Sequence, residues 1–422
     1  MRLAQADGYL EVGNRIAIED EPMSALRLAV ISYLGCDPFT PRGTRTRALV
    51  EALGDDWTIE LHSSSSSLRA APQRRASVRN ARKMLSTLRG RVLLDNQETW
   101  SYLHFRAWKP QVDGALLIGL PMSPLVYASA CLCTRDIPYI VDVGDPWMLT
   151  HPNPVLSRPA ASRATRAERQ LWARASGAVV TTTAQANAIL SLYPAIPVLV
   201  RPNGYETMGP TTMDDPAALR PQSQKTINLV HFGDLSSLRL DVSILLRRLV
   251  DSGHWREVKF AQYGSDWDGV LDRAPSEAVI TRHKPVPWEE AIVVGRSYDA
   301  AIVIGNQNSY QMPSKAVQYL TLPIPRIAIT CGEADDALAQ YVADKAGWLC
   351  SAIDDPQLVE RFHDHLSRNW RAAELAPPFG EAWPRVANEI AMFVNRVLSP
   401  HAQYPLSTSS EEVFSSANRL NR

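Results

Sequence analysis

Lysine is scarce in this sequence. Among 44 basic residues it appears only as Lys83, Lys109, Lys225, Lys259, Lys284, Lys315 and Lys345. The rest are arginines, a bias that genome base composition explains as readily as function, so no mechanism is drawn from it. An excess of charge is also missing, with 44 basic residues against 44 acidic ones. That balance excludes a dedicated nucleic-acid coat or a polybasic membrane binder, and leaves such contacts to local patches. Cysteine is limited to Cys36, Cys131, Cys133, Cys331 and Cys350, without a CxxC pair or zinc-finger spacing. These read as reduced, mostly packing thiols of a cytosolic chain rather than a disulfide framework. No apolar run is long enough to cross a bilayer, which takes about 20 residues. The longest, Val112–Cys133, is broken by Gly119, Pro121 and Pro124. Met1–Glu21 carries acids and lacks the apolar core of a secretory signal. A GxGxxG fingerprint is absent, which disfavours a dinucleotide cofactor. A soluble, cytoplasmic protein is expected, one that touches the inner face of a membrane only through a patch.

What is present has globular texture: 422 residues, 45% hydrophobic and 21% charged, enough for about two or three domains. Short apolar runs alternate with amphipathic stretches. Strands are expected at Leu26–Tyr33, Thr58–His62, Ala115–Gly119, Tyr139–Val143, Gly177–Thr181 and Pro197–Val200. After Gly209–Gln224, rich in Pro, Thr, Asp and Gln, the alternation resumes at Ile227–Phe232, Val258–Tyr263, Ala300–Ile304, Arg326–Ile329 and Gly347–Cys350. Strands that are apolar throughout and separated by helices imply βαβ units and parallel sheets covered on both faces. The expected organisation is an extension at 1–25, a Rossmann-like domain at 26–208, a linker at 209–225 and a second Rossmann-like domain at 226–380. A closing helix at 381–398 and a polar tail at 399–422 follow.

Three places could carry chemistry. Tyr298–Gly305 reads as a strand, followed by Pro313-Ser-Lys-Ala-Val-Gln-Tyr-Leu320. Proline suits a first helical turn, so a helix from Pro313 would aim free N–H groups, Ser314 and Lys315 at an anion; a surface helix with a solvated lysine fits the same residues. His231-Phe-Gly-Asp-Leu-Ser-Ser-Leu-Arg239 ends another strand, with Gly233 allowing close approach and Arg239 able to hold a diphosphate. Ile137-Pro-Tyr-Ile-Val-Asp-Val-Gly-Asp-Pro-Trp147 puts Asp142, Asp145 and Trp147 at a carboxyl edge, where a carboxylate can orient a hydroxyl or simply cap a turn. Between Leu61 and Leu94 there is no acid, while Arg69, Arg74, Arg75, Arg79, Arg82, Lys83, Arg89 and Arg91 all occur. This is either a solvated face or an electropositive flap for an anionic acceptor or lipid headgroups. Asp266-Trp-Asp268 and His363-Asp-His365 invite metal readings. The first sits in a second α/β unit, unlike the fold that uses DxD, and histidines two apart diverge on a helix, so His363 and His365 are expected on a solvated face.

Taken in order, these stretches resemble the retaining GT-B glycosyltransferases that use nucleotide-sugars (group 1, family 4-like), over roughly residues 26–398. The strand and Pro313-Ser-Lys-x-x-x-Tyr319 resemble the family's donor-site helix. Ile137-Pro-Tyr…Asp145-Pro-Trp147 looks like its acceptor-domain strand end, and Arg201-Pro-Asn-Gly-Tyr205 like its "PNG" turn. Val30–Gly43 is similar to its first strand and glycine-rich loop. The resemblance implies an α/β GT-B fold, two facing Rossmann-like domains with parallel sheets and an interdomain cleft. It implies transfer of a sugar from a UDP- or GDP-sugar to a hydroxyl, with retention, on a glycan or glycolipid intermediate such as those of polysaccharide biosynthesis, without metal or cofactor. Donor contacts would come from Gly43, Gly233, Arg239, Tyr310, Pro313, Ser314, Lys315 and Gln318. Asp145 and Trp147 would meet the acceptor, with Asp145, Lys315 and Arg239 serving catalysis. The chain departs from the family at four points: Tyr310 and Gln318 stand for two glutamates, Asp234 for an arginine after Gly233, and Gly144 for an arginine before Asp145. A scaffold or regulatory subunit that keeps the fold without full activity is the alternative.

Overall fold

A computed structural model describes residues 26–37, 40–64, 94–95, 97–145, 147–148, 158–207 and 225–399. The expected extension at 1–25, all but the last residue of the linker, the tail beyond Ser399 and the basic stretch Arg69–Arg91 lie outside them. Twelve strands are described: β1 (Arg27–Ser32), β2 (Thr58–His62), β3 (Gly114–Ile118), β4 (Tyr139–Val143), β5 (Gly177–Val180), β6 (Val198–Val200), β7 (Thr226–Phe232), β8 (Glu257–Tyr263), β9 (Ala278–His283), β10 (Ala300–Ile304), β11 (Arg326–Thr330) and β12 (Trp348–Ala352). They form two six-stranded sheets, ordered β2-β1-β3-β4-β5-β6 and β12-β11-β10-β7-β8-β9. Every strand pairing is parallel. This is the α/β, doubly sheeted arrangement expected of a GT-B chain.

The physical cause is visible in burial. β3, β4, β10 and β11 are buried at every position, because helices cover both faces of each sheet and leave no wet side. The first sheet carries one apolar layer around Leu117, Val141 and Trp172 and another around Leu28, Leu116 and Ile390. Layers around Val230 and Tyr319 and around Leu229 and Phe260 flank the second. β9 has no counterpart among the strands read from the sequence. It is an edge strand with only Ala278 buried, so it lacks the unbroken apolar run by which the others are recognised.

The last helix, Trp383–Leu398, returns to the first half. Its buried residues Val386, Ala387, Ile390, Ala391 and Val394 recur at helical spacing and join the layer containing Leu28 and Val30. Tyr205 fastens its start: Tyr205 N donates to Glu381 O at 3.0 Å, and Trp383 N donates to Tyr205 O at 2.9 Å. The 363–365 pair requires a correction. His363 is half-exposed, but His365 is buried at 7% exposure with its ring tilted against Trp370, since residues two apart on a helix take opposite sides. No helix among the described residues is long and apolar enough to cross a membrane.

Candidate functional site

The two carboxyl edges meet. Thr182, just beyond β5, donates its hydroxyl to Tyr310 O at 3.0 Å, and Asp145, beyond β4, accepts from Gln311 Nε2. The cleft between the sheets is therefore lined by the loops that follow β4, β5, β7 and β10, the position where open α/β sheets place ligands.

On the second-sheet side, Arg239 folds back over the end of β10. Its Nη1 donates to Ile304 O at 3.2 Å and to Asn306 Oδ1 at 3.3 Å, and a backbone bridge pairs Arg239 with Asn306. Asn306 also donates Nδ2 to Gln311 O at 2.8 Å, so one buried amide ties together the loops after β7 and β10. Lys315 stands beside them, its Nζ 5.4 Å from the centroid of Trp288, within cation–π range. Trp288 is held by its Nε1 donating to Thr321 Oγ1 at 2.9 Å and by stacking on Tyr319 at 5.8 Å. Burial pulls the Lys315 ammonium below its ordinary pKa, the nearby Asp234 carboxylate opposes that, and Arg239 adds to it. Burial lowers Arg239 as well. Asp234 does not bridge to either cation; its Oδ1 accepts from Ser265 N at 2.8 Å. Two partly desolvated cations thus lie near each other, neither in an ion pair among the described residues.

The sequence reading passed over His231. It is the one ionisable residue of β7, 4% exposed, its Nδ1 2.8 Å from Ile302 O. A carbonyl only accepts, so Nδ1 carries the proton and Nε2 keeps a lone pair. That Nε2 is buried and has no hydrogen-bond partner. Burial lowers the imidazole pKa to about 4, with Arg239 and Lys315 contributing and Asp234 opposing. The one ionisable side chain of a strand, two residues before a glycine, was the signal that could have found it.

Several expectations change. The helix expected to start at Pro313 is Lys315–Tyr319, five residues. Ser314 is its N-cap without a side-chain cap bond, and Pro313 lies outside it, its carbonyl taking Ala316 N at 2.9 Å in a tight turn. So short a helix carries little dipole, and anion binding falls to side chains. Gln318, one turn after Lys315, is half-buried on the same face. Tyr310 is half-buried at the interlobe contact. Gly43 is not in a loop reaching toward the donor. The helix starts at Pro41, Gly43 N donates to Thr40 Oγ1 at 3.0 Å, and a Cβ at 43 would lie 2.0 Å from Asp37 O. Its lack of a side chain serves local packing. Asp145 is engaged on both oxygens, by Arg42 and by Gln311. Trp147 packs half-buried against Met148 and the Tyr139 layer. Asp142 is buried with Arg45, which donates Nε to Oδ2 at 2.8 Å and reaches Pro202 O and Asn203 Oδ1 of the "PNG" turn. Both aspartates of 266–268 cap backbone: Asp266 takes Val270 N and Leu271 N, and Asp268 takes Ser237 N.

No protein-family model matches the chain, and no curated protein matches its sequence. Solved structures do resemble it. The N-terminal domain of Candida albicans trehalose-6-phosphate phosphatase is 12% identical, with a TM-score of 0.53 over 92% of this chain and 99% of that one. S. aureus MnaA, solved with UDP, is 9% identical over 88% and 97%, TM-score 0.49. Anabaena HepE, solved with UDP and glucose, is 10% identical over 87% and 95%, TM-score 0.49. The first supports the two-lobed fold; at these identities none speaks to activity.

Proposed function

We propose that the chain transfers a sugar from a nucleoside-diphosphate sugar, UDP- or GDP-linked, to a hydroxyl of a glycan or glycolipid acceptor, with retention. One observation carries this reading: Arg239 and Lys315 sit beyond the carboxyl ends of β7 and β10, neither salt-bridged to a carboxylate among the described residues. Charge that develops on a departing diphosphate is what such a pair stabilises, and fixed charges do so without reorganising at the moment of reaction. The leaving phosphate itself takes the acceptor's proton. Asp145 is excluded as a free base by its bonds to Arg42 and Gln311, so its part is to hold the lobes in register beside the acceptor.

A scaffold without turnover is the second reading, favoured by Tyr310 and Gln318 standing where the resembling enzymes have glutamates. Thermal unfolding of the full chain with UDP and with GDP, followed by hydrolysis assays on a panel of nucleotide-sugars, separates the two. A rise in Tm with one nucleotide, accompanied by hydrolysis or transfer, supports the transferase. Stabilisation without turnover selects the scaffold, and silence toward both nucleotides removes the donor site altogether.

A further inference from the structure

Gly233 is where His231, Lys315 and the cleft converge. The point that a Cβ at 233 would occupy is 3.2 Å from His231 Nε2 and 3.8 Å from Lys315 Cγ. Because glycine supplies no side chain, nothing of residue 233 but its backbone separates the imidazole edge from an anion held by Lys315 and Arg239. Nδ1–H is fixed on Ile302 O, so the edge facing Gly233 is a lone pair. A lone pair and an ionised phosphate oxygen repel, and in a desolvated site that repulsion is large. Neutral His231 therefore opposes the ligand that the two neighbouring cations favour. One proton resolves the conflict.

Resting on the donor-site reading above, we propose that the diphosphate of the sugar nucleotide binds together with a proton taken from solvent onto His231 Nε2, making the imidazolium a third cation of the site, and that the proton returns to solvent when the diphosphate leaves. The balance is one proton in on binding and one out on release, with no other reactant. In the free protein the imidazole titrates near pH 4, and a bound anion raises that value. By linkage, affinity rises as pH falls through the raised value and levels off below about 4. The charged groups that act on the ring besides the ligand are Lys315 on the Lys315–Tyr319 helix, and Arg239 and Asp234 on the loop after β7; the hydroxyl of Tyr319 on that helix accepts from Phe232 N. β10 and β8 present Ile302 O and the uncharged Gln262. Proton uptake by Lys315 would grow as pH rises, the opposite trend.

Titration calorimetry of the full chain with UDP-glucose and GDP-mannose tests this, because their diphosphate diesters do not themselves titrate between pH 5.5 and 8. Run in two buffers of different ionisation heat, it reads affinity and protons together. The expected result is about tenfold tighter binding at pH 5.5 than at 7.5, the equivalent of one pKa unit of linkage, with net proton uptake that increases toward acid. His231→Asn keeps a donor for Ile302 O and should bind with a flat profile, while Asp234→Asn should keep the slope. If His231→Asn does not fold, the buffer-dependent heat of the native chain together with Asp234→Asn decides. Binding with no uptake, or a slope lost with Asp234→Asn and kept with His231→Asn, overturns this inference alone. Absence of binding by either sugar nucleotide at every pH overturns it together with the donor site.

Discussion

Two carboxyl edges face each other across this molecule, and they treat their charges differently. On the first sheet, Asp142 has Arg45, Asp145 has Arg42, and Glu98 has Arg163 and Tyr127. These pairs hold the Pro41–Leu53 helix, the "PNG" turn and the strand ends to one another. On the second sheet, Arg239 and Lys315 bond or stack only on carbonyls, an amide and an indole among the described residues, with the Asp234 carboxylate nearby but not bridged to either, and His231 Nε2 has no hydrogen-bond partner there. Internally matched charge is structure; unmatched charge that burial has made costly is capacity for a ligand. Under the proposed function, the difference is what places the anion in the second lobe and leaves the first to present a rigid wall.

Four experiments break or sharpen that contrast. The largest effect is expected from Asp142→Ala, which strands the buried Arg45 guanidinium. Urea unfolding should show a loss of about 3–5 kcal/mol, the usual consequence of removing one member of a buried pair, and a loss below 1 kcal/mol would mean the wall does not depend on it. Lys315→Ala should leave the urea midpoint nearly unchanged and lower turnover by about 10²–10³, the scale of deleting one charge-stabilising group; full turnover would move the chemistry elsewhere. Acid should loosen the second lobe in particular. His231 and His365 are both held near pKa 4, well under the ordinary 6.5, so the unfolded chain binds more protons between those values. Each imidazole then contributes up to about 3 kcal/mol that is present above pH 6.5 and lost as pH falls toward 4. Hydrogen exchange should register this at Val230 and Ile302 before Leu117 and Val141, and equal loss in both sheets would contradict it. The smallest change is Asp145→Asn. Its pair with Arg42 is about 30% exposed on both sides, and such pairs are worth below about 1 kcal/mol. Its signature should be altered interlobe closure in small-angle scattering rather than a shifted Tm.

Much of the fold is legible in the chain. Ala300–Ile304 announces itself as a run that is apolar throughout, and Tyr139–Val143 does so apart from Asp142, which Arg45 matches; the structure draws the same bounds for both. β9 escapes that rule as an exposed edge. Arg239 and Lys315 were legible as residue types that follow readable strand ends, and the structure brings the two near each other. Gly43, Asp145 and Trp147 were read as facing ligand, yet their neighbours are Asp37, Arg42 and Gln311, and Met148. Two of those four come from other segments: Arg42 lies 103 residues from Asp145 and Gln311 lies 166.

By itself, then, the order of residues determined most of the elements, β9 excepted, their parallel pairing and the cationic character of the strand ends, since these depend on periodicity and on chain-local chemistry. Only the folded molecule decided which charges were already matched, how short the Lys315 helix is and that a histidine lone pair lies beneath Gly233. Those outcomes depend on which distant side chain arrives at a given point and how much water it displaces. Burial and partner choice are properties of the assembled lobes, not of any stretch of chain.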